Sequence, residues 1–246
     1  MDDHIEWSAT QTRVQLQEDE VHVWRAVLDV SPEVLGMLSC SLDRDEANRA
    51  DQFLFARDRN HFVAAHGITR NILSGYLQTS PETLSFSVEP NGKPALSRKT
   101  DSLDLRFNLS HSHGLAMLAL ALGREVGIDV ERIRPGIADE GIQAHIFTAH
   151  EQAEFQHIVP TERDCEFLRR WTCKEAFVKA LGDGLQIPLN SFEVSFATST
   201  SPVLRGPGCE PWNLFSFPCG DEYMAALVVE GKTTRLKFWD WSRHII

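Results

Sequence analysis

Two carboxylates one residue apart, Asp129 and Glu131 in Gly127-Ile128-Asp129-Val130-Glu131, have the clearest chemical reach in this chain. On a strand, side chains alternate faces, so these two point one way while Ile128 and Val130 point into a core. Side by side they repel, and need water, a proton or a cation. Hard oxygen ligands suit Mg²⁺. Alone, the pentapeptide reads first as a solvated acidic strand face. The second feature is Trp171-Thr172-Cys173-Lys174-Glu175-Ala176-Phe177-Val178-Lys179. On a helix Glu175 and Lys179 share a face, with Trp171 one turn earlier. Such a pair could serve a metal and a phosphate. Alone, it reads as a surface ion pair worth a few tenths of a kcal/mol.

Further polar groups crowd Phe107-Asn108-Leu109-Ser110-His111-Ser112-His113. Hydroxyls, backbone N–H groups and protonated imidazoles donate well to phosphate. Ser110 and His111 face opposite ways on a strand, so they are no nucleophilic dyad, and no GxSxG elbow is present. A polar turn accounts for the segment equally well. His111 and His113 lack further ligands at zinc spacing. Arg57, in Phe53-Leu54-Phe55-Ala56-Arg57-Asp58, and Lys93, in Asn91-Gly92-Lys93-Pro94, each place a cation beside a turn or helix end. Arg matches phosphate geometry. GxxxxGK[ST], GxGxxG and HExxH are absent.

Positioning these groups requires a particular set of elements. Residues 21–28 read as an early strand. Ser41 is a candidate N-cap, and Phe62, Ala65, Ile68, Ile72 and Tyr76 form one helical stripe. Residues 83–88 read as a strand, Pro90-Asn91-Gly92 as a turn, Leu103 to Leu109 as an alternating strand and 115–122 as a central one. Beyond Gly123-Arg124 the order resembles the first half. A strand carries Asp129, a helix starts at Thr148 with Glu151 completing a capping box, and a longer helix spans about 163–181, ended by Gly182 or Gly184. Residues 192–196, 223–229 and 236–241 read as strands. The halves share no clear sequence repeat.

Composition sets outer limits. The chain has 246 residues, 42% hydrophobic and 24% charged, enough for a sizeable core. A net charge of −11 argues against a general nucleic-acid binder. No apolar run could span a bilayer and no secretory signal opens the chain. Five cysteines without a CxxC pair fit a reduced, cytoplasmic protein.

Taken in order, Gly92-Lys93-Pro94, Asn108-Leu109-Ser110-His111, the Gly127–Glu131 strand and Trp171–Lys179 resemble the motif series of 4′-phosphopantetheinyl transferases of the surfactin-synthetase-activating type. Phe53–Asp58 also resembles that family's Arg-containing segment, and Gly182–Leu185 and Pro188–Phe192 its continuation after the long helix. The matches run from about residue 49 to about residue 196. The resemblance implies an α+β fold of two similar subdomains, each a small antiparallel sheet packed with helices, related by pseudo-twofold symmetry. They would be residues 1–123 and 124–246, with the active site between them. It implies transfer of the 4′-phosphopantetheinyl group from coenzyme A to a serine of an apo acyl or peptidyl carrier protein, with release of 3′,5′-ADP. Asp129, Glu131 and Glu175 would hold Mg²⁺, or Mn²⁺, and Glu175 or a metal-bound water would accept the serine proton. Glu151 matches a further glutamate near the metal. Lys179 would contact the pyrophosphate. Ser110 and His111 would bind the nucleotide end, and Arg57, Lys93, Arg49 and Lys174 would add phosphate contacts. The enzyme is expected to be a cytoplasmic monomer without nucleic-acid or membrane partners, with residues 133–147 as a candidate carrier-docking stretch. One departure is His113, which stands before Gly114 where the family has glycine directly after Ser112. A non-catalytic coenzyme A-binding protein and a metal-dependent phosphohydrolase are the rival readings.

Overall fold

The alternation of Val and aromatic residues after Glu20 builds an eight-residue strand whose first five side chains are all buried. In the computed structural model the described residues are 5–9, 14–88, 92–97, 100, 103–182, 187–196, 202–231 and 235–243. Pro90 and Asn91 of the expected turn lie outside them, as do Asp183, Gly184 and Leu185.

The chain forms two units. One contains residues 1–87, 94–123 and 235–246; the other contains 88–93 and 124–234. In the first unit β1 (Ser8–Ala9), β2 (Glu20–Val27), β5 (Leu105–Ser112), β6 (Leu115–Leu122) and β12 (Arg235–Asp240) make a sheet in the order β1-β12-β2-β6-β5. The helices α1 (Pro32–Cys40), α2 (Arg44–Ala50) and α3 (Ala56–Leu77) accompany it. The expected stripe is the buried face of α3: Phe62, Ala65, Ile68, Ile72 and Tyr76 are all below 9% exposed. Burying each large apolar side chain is worth about 1.5–3 kcal/mol. A short hairpin, β3 (Phe86–Val88) with β4 (Pro94–Leu96), follows α3.

In the second unit β7 (Val126–Arg132), β10 (Trp212–Pro218) and β11 (Tyr223–Glu230) form an antiparallel sheet in the order β10-β11-β7. With it come α4 (Glu140–Ile146), α5 (Ala149–Gln156), α6 (Arg163–Leu181) and the hairpin of β8 (Glu193–Ser195) and β9 (Val203–Arg205). Thr148 caps α5 and Glu151 closes the capping box, while Gly182 ends α6 at φ 73°.

The architecture is α+β in two similar subdomains. Strand, three helices, a two-stranded hairpin, then two strands of which the last pairs with the first: each unit follows that order. The likeness extends to side chains. In the first unit Arg70 of α3 is fully buried and bonds Glu46 Oε2 at 2.6 Å, Asp43 Oδ2 at 2.6 Å and the carbonyls of Pro81 and Leu84. Asp43 and Glu46 are the capping box of α2. In the second unit Lys174 of α6 is fully buried on Glu151, the capping-box glutamate of α5, at 2.8 Å. It also donates to the carbonyls of Leu189 and Phe192. In both, a buried cation on the long helix ties the preceding helix start to the segment that follows.

Several sequence expectations are corrected. The last strand was assigned to the C-terminal half, but β12 runs parallel to β2 in the first sheet. There Trp239 stacks on Trp24 with centroids 5.8 Å apart and Arg25 donates to Asp240 Oδ2 at 2.9 and 3.0 Å. Ser41 is the C-cap of α1, because Ser31 and Pro32 start a helix before it, and Asp43 caps α2 instead. Residues 81–83 form a 3₁₀ turn, so the strand expected from 83 begins at Phe86. Among the described residues no helix is long and apolar enough to cross a membrane.

Candidate functional site

Gly127 decides how the second unit's acidic site is built. A Cβ placed on it would lie 2.1 Å from Ala176 O and 2.4 Å from Ala180 N, so α6 runs directly on the backbone of β7. Only glycine permits that approach. Two residues along the same strand face comes Asp129, which is 4% exposed. One residue before Ala180 comes Lys179, and its Nζ donates to Asp129 Oδ1 at 2.6 Å. Glu131 and Glu175 are half-buried beside this pair.

Glu175 feels the whole group. Burial pushes its carboxyl above the usual glutamate range, and repulsion from Asp129 and Glu131 pushes it further, while Lys179 pulls it back. The three carboxylates from β7 and α6 therefore converge electrostatically around one ammonium. Their chemistry fits a hard divalent cation, because every donor is a carboxylate oxygen. Their placement is looser than a coordination shell: among the described residues no group of three or more His, Cys, Asp and Glu side chains could hold a metal ion as it stands.

Two expected phosphate ligands are used up inside the second unit. Lys174 has no exposure, and its three N–H bonds go to Glu151, Leu189 O and Phe192 O. An ammonium has three donors, so none remains for a ligand. Glu151 is equally committed. Its Oε2 accepts from Thr148 N at 2.7 Å and its Oε1 from Val194 N at 2.8 Å. It is no metal ligand. Lys93 donates to Glu125 Oε2 at 2.7 Å and to the carbonyls of Val126 and Ala180, both at 3.1 Å. That lysine ties the end of α6 to the start of β7, which makes it a strut of the site.

The remaining candidates belong to the first unit. Ser110 is buried and His111 exposed, on opposite faces of β5 as strand geometry requires. The β5–β6 turn is His113-Gly114, with φ 45° and 92°. Positive φ at both turn residues is the mirror-image hairpin turn that suits strand twist. Arg57 is exposed in the first turn of α3. Arg49 is exposed at the end of α2, with its guanidinium 5.3 Å over the Phe62 ring.

Sequence reasoning missed Asp29 and His61. His61 Nε2–H donates to Asp29 Oδ1 at 2.9 Å, beneath Gly114. The available signal was spacing, since His61 is four residues after Arg57 and shares its helix face.

Comparisons with known proteins match both halves of the chain. A family profile described as the 4′-phosphopantetheinyl transferase superfamily matches residues 125–228. Another, described as 4′-phosphopantetheinyl transferase, N-terminal, matches residues 29–122. The chain is 36% identical over 235 residues to 4′-phosphopantetheinyl transferase HetI of Nostoc sp. (strain PCC 7120), covering 96% of this chain and 98% of that protein. It is 29% identical over 150 residues to 4′-phosphopantetheinyl transferase Sfp of Bacillus subtilis (strain 168), covering 61% and 64%. Among solved structures, a holo-(acyl-carrier-protein) synthase from Bacillus anthracis in complex with CoA (3′,5′-ADP) aligns with a TM-score of 0.40 at 22% identity, over 44% of this chain and 96% of that one.

Proposed function

The chain belongs to the 4′-phosphopantetheinyl transferase family, and from that premise we propose that it moves the phosphopantetheinyl arm of coenzyme A onto a serine of an apo carrier protein. The observation that carries the residue assignment is the convergence of Asp129, Glu131 and Glu175 around Lys179. Asp129, Glu131 and Glu175 would hold Mg²⁺ or Mn²⁺. Such an ion would offset charge on the pyrophosphate oxygens and orient the β-phosphate.

The chain's own groups divide the remaining work. The serine oxygen forms a bond to the β-phosphorus of coenzyme A, the bridging P–O bond breaks, and 3′,5′-ADP departs with its electron pair. Glu175, brought to the acidic face of β7 by α6, would accept the serine proton. Lys179, half-exposed, supplies a cation to the leaving diphosphate. Arg57, Arg49, Ser110 and His111 receive the nucleotide end. Five cysteines that form no disulfide with one another, of which Cys173, Cys209 and Cys219 are buried, support a reducing cytoplasmic setting.

Incubation with coenzyme A, Mg²⁺ and a panel of apo carriers should add about 340 Da to at least one carrier, read by intact-protein mass spectrometry. Asp129→Ala should stop the addition in a protein that still folds and unfolds cooperatively, with a modest loss of stability from the broken Lys179 pair. Phosphate release with no carrier adduct would support a phosphohydrolase instead.

A further inference from the structure

The Asp29–His61 pair stands at the foot of the β5–β6 hairpin. Leu28 N–H donates to Gly114 O at 2.8 Å, which docks the hairpin tip at the end of β2. A Cβ on Gly114 would lie 3.1 Å from Asp29 Oδ2 and 3.6 Å from His61 Cε1, so the tip rests on the pair itself. The His61 side chain is 12% exposed and that of Asp29 66%. The Asp29 carboxyl is held below its usual range by the His61 hydrogen bond, with the His61 and Arg57 charges adding to the effect against burial. Asp29 thus links two pieces expected to meet the nucleotide, Arg57 on α3 and the hairpin that ends in His111-Ser112-His113.

An acidic group here poses an electrostatic problem. Its charge opposes the binding of any phosphate that Arg57 would attract. A geometric role resolves this. We propose that Asp29 and His61 are a positioning pair that fixes the His111–Gly114 hairpin against α3, so that the hairpin and Arg57 together receive the phosphorylated nucleotide end of coenzyme A. The proposal rests on the transferase reading. It adds two residues that touch the hairpin rather than the ligand.

Charge and position predict opposite signs, which makes the test sharp. If Asp29 matters only through charge, Asp29→Ala and Asp29→Asn should both tighten binding. If it positions the hairpin, Asp29→Ala should loosen binding, and Asp29→Asn, whose amide oxygen still accepts from His61, should restore most of it. Calorimetry with coenzyme A and with 3′,5′-ADP should show about a tenfold weaker Kd for Asp29→Ala, the usual scale for a hydrogen bond to a charged group. KM for coenzyme A should rise in step while kcat stays within about twofold of wild type. His61→Leu should match Asp29→Ala. Asp29 is exposed, so its variants keep the test alive if His61→Leu fails to fold. Unchanged or tighter binding in Asp29→Ala, or equal losses in Ala and Asn variants, overturns the proposal. A wild-type protein that binds coenzyme A but modifies no carrier overturns the transferase reading, and the binding series still decides the positioning pair.

Discussion

Replacing Gly127 with alanine tests the construction of the acidic site directly. The new methyl carbon would meet Ala176 O at 2.1 Å and Ala180 N at 2.4 Å, where ordinary contact begins at 3.4 Å. Both obstacles are helix backbone, so no side chain can rotate away. Helix α6 must retreat from β7 by about 1 Å, and overpacking of this kind costs about 3 kcal/mol or more. For a chain of this size that lowers Tm by roughly 6–12 °C. The retreat also carries Lys179 off Asp129, whose 2.6 Å contact has little slack. A displacement near 1 Å at reacting groups costs about 100-fold in rate. Differential scanning calorimetry and timed carrier modification would read the two effects on the same sample. Gly36→Ala is the control: it lies within α1 with nothing inside 4 Å of the added carbon, and should be neutral or stabilising by about 0.5–1 kcal/mol. If Gly127→Ala melts and turns over like wild type, the close approach of α6 to β7 does not build this site.

Other expectations follow from the roles of the cations and of one buried imidazole. Arg57→Ala should raise KM for coenzyme A with little change in Tm, whereas Lys93→Ala should lower Tm, because Lys93 spends its donors on Glu125, Val126 O and Ala180 O. Lys174→Met leaves Glu151 buried without its cation and should cost about 3–5 kcal/mol in urea unfolding; adding Glu151→Gln should recover part of that. His22 is fully buried between Tyr76 OH at 2.6 Å and Glu20 Oε2 at 3.2 Å. Burial holds its pKa down to about 4 against the Glu20 carboxylate, which favours the charged form. The unfolded chain binds the His22 proton near pH 6.5 and the folded chain only near 4, so this stability is complete above 6.5 and lost as pH falls towards 4. The loss is roughly 3 kcal/mol, and His22→Gln should flatten the Tm-against-pH slope over that interval.

Local periodicity made much of this structure legible. The stripe of α3, the capping box Thr148–Glu151, the span of α6 and the face shared by Asp129 and Glu131 all follow from spacing along one element. Burial and long-range pairing were not legible. Lys93 and Lys174 present the same charge in sequence as Lys179, yet one glutamate and two backbone carbonyls saturate each of the first two, while the third reaches the acidic face of β7. Residues 236–241 read correctly as a strand, but their partner β2 lies more than two hundred residues away. The start of α2 was legible too: Asp43 with Glu46 three residues on is a capping-box pair, a stronger signal than the lone hydroxyl of Ser41.

The internal repetition explains why the acidic cluster forms in one unit. Strands β6 and β11 are both eight residues long, and β5 and β10 pair with them in matching register. Laying Leu115–Leu122 on Tyr223–Glu230 puts His22 at the position of Gly127, Trp24 at Asp129 and Ala26 at Glu131. Laying Arg70 on Lys174 puts Asn71 at Glu175, Gly75 at Lys179 and Tyr76 at Ala180. The two alignments agree physically. Tyr76 OH contacts His22 and accepts from Trp24 Nε1, just as the backbone of Ala180 contacts Gly127. In the first unit His22, Trp24 and Tyr76 fill the seam between long helix and first strand, and the buried carboxylate there, Glu20, bonds His22 at the start of the strand. In the second, Gly127 and Ala180 remove that bulk, the helix closes on the strand, and Lys179 meets Asp129. A carboxylate at Trp24 alone would therefore not recreate the site, because His22 and Tyr76 would still occupy the seam that the second unit leaves to backbone.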